Sequence, residues 1–123
     1  MIEKTIQRYT KKEEDFVNLL VRIGTRKSVA KALMFLAKVP EATARNIELG
    51  ADLRQPEVSV AMKYLSDKGW IDCREVPPEK KGRPIKIWSL NVPAEKILDA
   101  IRREKEDELN SRLEMIRRVR SFV

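Results

Sequence analysis

Apolar residues recur at intervals of three and four in successive blocks along the chain. Two short runs rich in β-branched and aromatic residues interrupt this pattern before the last block. The stretch Thr10-Lys11-Lys12-Glu13 is a capping box, in which hydroxyl and carboxylate satisfy opposite backbone donors, and it predicts a helix starting after Thr10. Phe16, Leu19, Leu20 and Ile23 form its apolar face, and Gly24 suits its stop. A second helix is predicted from about Lys27 to Lys38, with Val29, Ala32, Leu33, Leu36 and Ala37 along one face and Pro40 beyond its end. Thr43 caps a short third helix, Ala44 to about Gly50, that buries Ile47 and Ala51. Asp52 tolerates the left-handed turn that must follow, and Leu53 plugs that turn into the core. A fourth helix opens at Gln55-Pro56, where proline loses no intrahelical hydrogen bond, and Gly69 closes it. Residues 70–76 and 85–90 read as two strands joined by the polar, turn-rich loop 77–84. From Pro93 a long helix runs to about Arg120. The fold class is mainly α with a small β-hairpin (α+β). Residues 1–92, with a core at 25–90, make one unit, and residues 93–123 are a helical appendage.

The 123 residues, 42% hydrophobic and 37% charged with four glycines, suit one folded, helix-rich domain. No apolar run is long enough for a membrane span, and the N-terminus lacks the apolar stretch of a signal peptide, so a cytoplasmic location is expected. One cysteine, Cys73, and no histidine exclude an internal disulfide, histidine-based metal ligation and histidine acid–base chemistry. No nucleotide-binding glycine motif and no calcium-loop spacing is present, so neither enzyme activity, cofactor nor metal is expected. Cys73 admits two readings, a redox switch or a small, partly buried hydrophobe in a strand.

The net charge of +7 is unevenly spread. Residues 1–39 carry nine Lys/Arg against four Asp/Glu and residues 74–92 carry five against two, whereas residues 40–73 carry four against six. The basic excess therefore flanks the two short helices, and charge alone does not mark them as a polyanion reader.

Wrapping residues 56–69 at about 100° per residue places Val58, Ala61, Met62 and Leu65 on one face. Pro56, Ser59, Val60, Lys63, Tyr64 and Asp67 fall on or near the other. The first face anchors a core. The second carries a hydroxyl, methyl groups, a cation and a phenol, the groups that read base edges in a major groove. A solvated face of an ordinary amphipathic helix has the same spacing. The order of short helix, tight turn, proline-started helix and basic hairpin favours the DNA reading. In the loop, Lys80, Lys81 and Arg83 surround Gly82, and Pro77, Pro78 and Pro84 restrict its freedom and so its ordering cost on binding. A merely solvated turn is the alternative there. Arg26, Lys27 and Ser28, at the start of the second helix, could donate to phosphates.

These residues carry a resemblance. Ile47-Glu48, the run Leu53 to Ser59, Ala61-Met62, Leu65, Gly69-Trp70-Ile71, Gly82-Arg83-Pro84 and Trp88-Ser89-Leu90 together resemble the winged helix-turn-helix core of ArsR/MarR-type transcription regulators, especially small archaeal members. The resemblance spans residues 43–90. It implies that Gln55, Pro56, Ser59, Val60 and Lys63 face DNA from helix 55–68 in the major groove. It also implies that the wing, 77–84, reaches a minor groove or phosphates. The expected DNA-contacting set is Thr43, Arg54, Gln55, Pro56, Ser59, Val60, Lys63 and Tyr64, with Lys80, Lys81 and Arg83 in the wing. The paired cysteines or His/Asp clusters of metal-sensing relatives are absent.

In the last helix, Ile101, Leu109, Leu113 and Ile116 mark a dimerisation seam, the last three at four–three spacing, with a charged interruption at residues 102–108. Pairing with a second copy or folding back on its own core would each cover it. The expected function is a homodimeric, sequence-specific regulator binding double-stranded DNA, a repressor blocking promoter access, with no membrane partner and no effector identified. The alternative is a winged-helix protein-interaction or assembly subunit of a transcription complex.

Overall fold

A computed structural model describes residues 10–78 and 82–123. Helix α1 spans Lys11–Arg22, α2 Lys27–Leu36, α3 Ala44–Ala51 and α4 Gln55–Asp67. Strands β1 (Ile71–Val76) and β2 (Ile85–Leu90) follow, and α5 (Ala94–Arg120) ends the fold. The capping box at α1 forms as expected. Thr10 Oγ1 accepts from Glu13 N at 3.1 Å, and Thr10 N donates to Glu13 Oε1 at 3.0 Å.

The chain builds its interior as two clusters sharing one helix. Helix α2 gives Val29, Ala32 and Leu36 to a cluster with α3, α4 and β1. It gives Ala30, Leu33 and Met34 to a second cluster with α1 and α5. A helix buried on both sides needs apolar residues around most of its circumference, and seven of its ten residues are buried. Trp70 and Leu90 pack against both clusters and join them.

Three expectations shift. Helix α2 stops at Leu36 rather than Lys38, and Ala37 is exposed at its cap. The buried stripe of α1 is Val17 and Leu20, with Phe16 half-buried, while Leu19 and Ile23 are exposed. A short helix lying on a narrow contact buries only its central stripe, so the flanking apolar positions face outward. Cys73 is exposed rather than partly buried, because β1 buries only its first residue, Ile71, before the hairpin leaves the core.

The hairpin is antiparallel in the register Ile71 with Leu90 through Val76 with Ile85. An isolated bridge adds Ala42 beside Trp88, with Ala42 N donating to Trp88 O at 2.9 Å and Trp88 N to Ala42 O at 2.8 Å. That bridge ties the hairpin base to the entrance of α3. Arg74 reaches Glu41 on the same side at 2.8 Å.

Candidate nucleic-acid interface

Local chemistry sets α3 and α4 at their angle. Thr43 caps α3 with Asn46, each side chain accepting the other's backbone N–H at 3.1 and 3.0 Å. Asp52 adopts the left-handed conformation (φ 56°, ψ 57°) at the turn, and Lys31 Nζ of α2 donates to its carbonyl at 3.2 Å. Leu53 is buried directly after it. Gly50 is required by close approach: a Cβ there would overlap the edge of the Phe35 ring on α2. Helix α4 then begins at Gln55 with proline in its first turn, and Glu57 Oε1 accepts from Arg54 N at 2.8 Å.

The two faces of α4 separate as the spacing requires. Val58, Ala61, Met62 and Leu65 are buried, while Gln55, Pro56, Ser59, Val60 and Lys63 are exposed together on the outer side. Val60 keeps 43% of its surface in solvent, an apolar side chain held outward on a helix whose core face is full. Lys63 is 78% exposed and forms a 3.3 Å pair with Asp67 one turn on. So exposed a pair is weak and leaves the ammonium available to a stronger anion.

Not every expected residue joins this face. Tyr64 is half-buried and packs edge-on against Trp70, centroids 6.3 Å apart at 66°, with Lys68 Nζ 5.5 and 5.9 Å from the two rings. It lies on the flank of α4 that turns toward the junction with α1 and α5, away from Ser59 and Lys63. Thr43 is half-buried and its hydroxyl is engaged as the cap. Arg54 is exposed at the entrance of α4, beside Gln55. In the wing, Arg83 is exposed next to Gly82, whereas Lys80 and Lys81 lie outside the described residues.

Helix α5 buries only Ile97 and Ile101, near its start. Ile101 therefore serves the chain's own core, and the exposed apolar seam comprises Leu109, Leu113 and Ile116, with Met115, Val119 and Phe122 nearby. Between α1 and α5 an open groove of about 500 Å³ is lined by Leu20, Ile23, Leu98, Ile101 and Leu109, with Arg102, Lys105 and Arg112 among its borders. Ile23, whose exposure was unexpected from the sequence, lines this groove.

A helical trio with a tight left-handed turn, a two-stranded hairpin closing against α3 and a long terminal helix is now in place. The fold is a winged helix. No family model and no curated protein matches the chain. Among solved structures, a possible transcriptional regulator from Methanosarcina mazei superposes with a TM-score of 0.56 at 15% identity, covering 82% of this chain and 85% of that one. A MarR-family regulator from Neisseria meningitidis gives 0.52 at 20% identity, covering 89% and 77%. A transcriptional regulator homologue from Pyrococcus horikoshii gives 0.52 at 14%, covering 83% and 97%. The structural neighbours of this winged helix are thus MarR-family and archaeal transcriptional regulators, alike in fold at low identity. Among the described residues no three His, Cys, Asp or Glu side chains converge as a metal site, and no helix is long and apolar enough to cross a membrane.

Proposed function

We propose that the protein is a sequence-specific, double-stranded DNA-binding transcription regulator that acts as a homodimer in the cytoplasm and represses by occupying promoter DNA. The observation that carries this reading is the outer face of α4. Gln55, Pro56, Ser59, Val60 and Lys63 stand exposed on a helix whose opposite face is locked into the core. Ser59 and Gln55 offer donors and acceptors, Val60 offers methyl contact to thymine, and Lys63 reaches guanine or phosphate. Arg54 and Arg83, with Lys80 and Lys81, supply backbone anchoring on either side.

The length and charge pattern of α5 support the dimer. Its 27 residues extend about 40 Å at 1.5 Å per residue, more than the small core can cover. Residues 94–108 carry six acids and four bases, whereas residues 109–120 carry four bases and one acid. Antiparallel pairing of two α5 helices sets the basic end of each against the acidic stretch of the other. It also lays Leu113, Ile116 and Val119 toward the groove beside Leu20, Ile23 and Leu109. Two reading helices then stand about one DNA turn apart, and the target is palindromic.

Selection of bound duplexes from a random pool tests both parts. The expected result is a short inverted repeat, with affinity falling steeply as salt rises. Equal affinity for all duplexes overturns sequence-specific regulation and leaves an architectural DNA binder. No retention of any duplex at low salt overturns DNA binding and favours the protein-interaction module.

A further inference from the structure

Only three residues join α3 to α4, and the middle one, Leu53, is buried. Helix α4 buries nothing before Val58, since Gln55, Pro56 and Glu57 in its first turn are all exposed. Buried Val58, Ala61, Met62 and Leu65 therefore fix the body of α4. The placing of its first turn is left to residues 52–54 and whatever holds them. Asp52, the one non-glycine residue at positive φ among the described residues, turns the chain there. Backbone bonds from Leu53 N to Glu48 O and from Val58 N to Arg54 O, each 3.0 Å, stand on either side of it.

Helix α2 reaches this turn from outside. Lys31 and Phe35 lie four residues apart on α2, and both meet the end of α3. The edge of the Phe35 ring fills the space a side chain at Gly50 would need, and Lys31 Nζ donates to the Asp52 carbonyl at 3.2 Å. The Lys31 side chain is only 16% exposed, so it is held along the protein rather than spread in water. The Asp52 carboxylate, 3.9 Å away and 96% exposed, adds little to that contact. The carbonyl matters more, because the last carbonyls of a helix lack intrahelical partners and carry its negative pole. Helix α3 has no basic residue in its own last turn. Lys31 supplies that cation from 21 positions earlier.

We propose that Lys31 is a positioning residue for base reading. By clamping the Asp52 carbonyl it fixes where the first turn of α4, and with it Gln55 and Ser59, stands relative to α2 and α3. It acts through the turn and not by touching a base. The N-terminal end of a reading helix enters the major groove deepest, so a small shift there is felt first at the base edges. Lys31→Met keeps the stem and removes the donor. Helix α4 then stays docked through its four buried residues while its first turn loses the clamp. The positional claim is independent of any ligand, and its consequence for base discrimination rests on the regulator reading.

Residual dipolar couplings of the free, full chain test the position, and competition between a selected and a random duplex at one salt concentration tests the reading. In Lys31→Met, couplings of residues 53–59 are expected to depart from the wild-type orientation, while those of α1, α2 and α5 still fit it. The ratio of selected to random affinity should fall about tenfold, the size of one hydrogen bond to a charged group. Loss of positive charge alone would weaken both duplexes alike and leave that ratio unmoved. Lys31→Arg keeps a cationic donor and should restore most of the ratio. Asp52→Asn keeps the carbonyl and tolerates the left-handed turn, so couplings and ratio should match the wild type. Lys31→Gln, uncharged and one atom shorter, replaces Lys31→Met under the same criteria if the latter does not fold. Unchanged couplings overturn the positioning role, and changed couplings with an unmoved ratio overturn its part in base reading. An Asp52→Asn chain that behaves like Lys31→Met overturns the carbonyl clamp in favour of the side-chain ion pair. A wild type that binds all duplexes equally ends the regulator reading instead, and the couplings alone then decide the role of Lys31.

Discussion

Gly50 and Ser59 illustrate two opposite demands on single residues of the helix-turn-helix. At Gly50 the helical backbone would accept alanine, which gains about 1 kcal/mol in propensity. The Phe35 ring occupies the space its methyl needs, however, and overpacking costs about 1–3 kcal/mol. Steric overlap with a ring packed on the core is the larger effect. Gly50→Ala is expected to lower stability by about 1 kcal/mol net, read from the midpoint of urea unfolding. Ser59 and Lys63 touch nothing in the core, so their truncation should leave that midpoint unchanged. Ser59→Ala should instead relax preference at one base position by about 1 kcal/mol, in competition binding against point-changed duplexes. Lys63→Ala is expected to weaken specific binding and to reduce the salt dependence by about one counterion if it meets phosphate. Stability loss at Ser59 with unchanged specificity would reassign that face of α4.

Helix α1 is held at its start by a carboxylate, which makes it sensitive to acid. The Thr10 backbone N–H, and after it the Lys38 ammonium 3.2 Å away, hold the Glu13 carboxyl below its ordinary value of 4.5. A lowered folded-state pKa contributes stability above the ordinary value, and that contribution is lost as pH falls through the folded value. Fraying of residues 11–14 should therefore set in below pH 4.5, ahead of any change in α2, when followed by backbone chemical shifts. Glu13→Gln should remove this pH dependence while keeping part of the cap. A first turn that stays helical down to global acid unfolding would contradict this account. The effect is local, because α1 meets the rest of the chain mainly through Val17, Leu20 and the half-buried Phe16.

Over the whole molecule, α5 divides into a packed beginning and an exposed end. Ile97 and Ile101 are buried, and from Glu106 onward every residue is exposed. Leu113 and Ile116 in that end are exposed and belong to neither core cluster, so charging them tests assembly without emptying a core. Leu113→Asp with Ile116→Asp is expected to preserve the thermal transition of the monomer fold while shifting sedimentation from dimer to monomer. Binding to a palindromic duplex should fall about a hundredfold or more, because the second half-site contact becomes independent of the first. Unchanged sedimentation would remove α5 from the interface. A monomeric variant with full affinity would separate dimerisation from DNA binding.

Caps, stops and face patterns lie within a few residues of one another, and these the sequence determined by itself. The capping boxes at Thr10 and Thr43, the left-handed Asp52, the two faces of α4 and the hairpin strands all follow from local spacing and backbone chemistry. Tertiary structure alone decided which flank of each amphipathic element meets another. It took Ile101 out of the exposed seam, turned Tyr64 onto Trp70, exposed Cys73, and brought Leu20 and Ile23 beside Leu109. It also set Lys105 over Gly24, 81 positions earlier. Helical periodicity gives the direction of a side chain about its own axis. The distance and crossing of a second helix determine what that side chain touches, and these arise from packing among residues far apart in the chain.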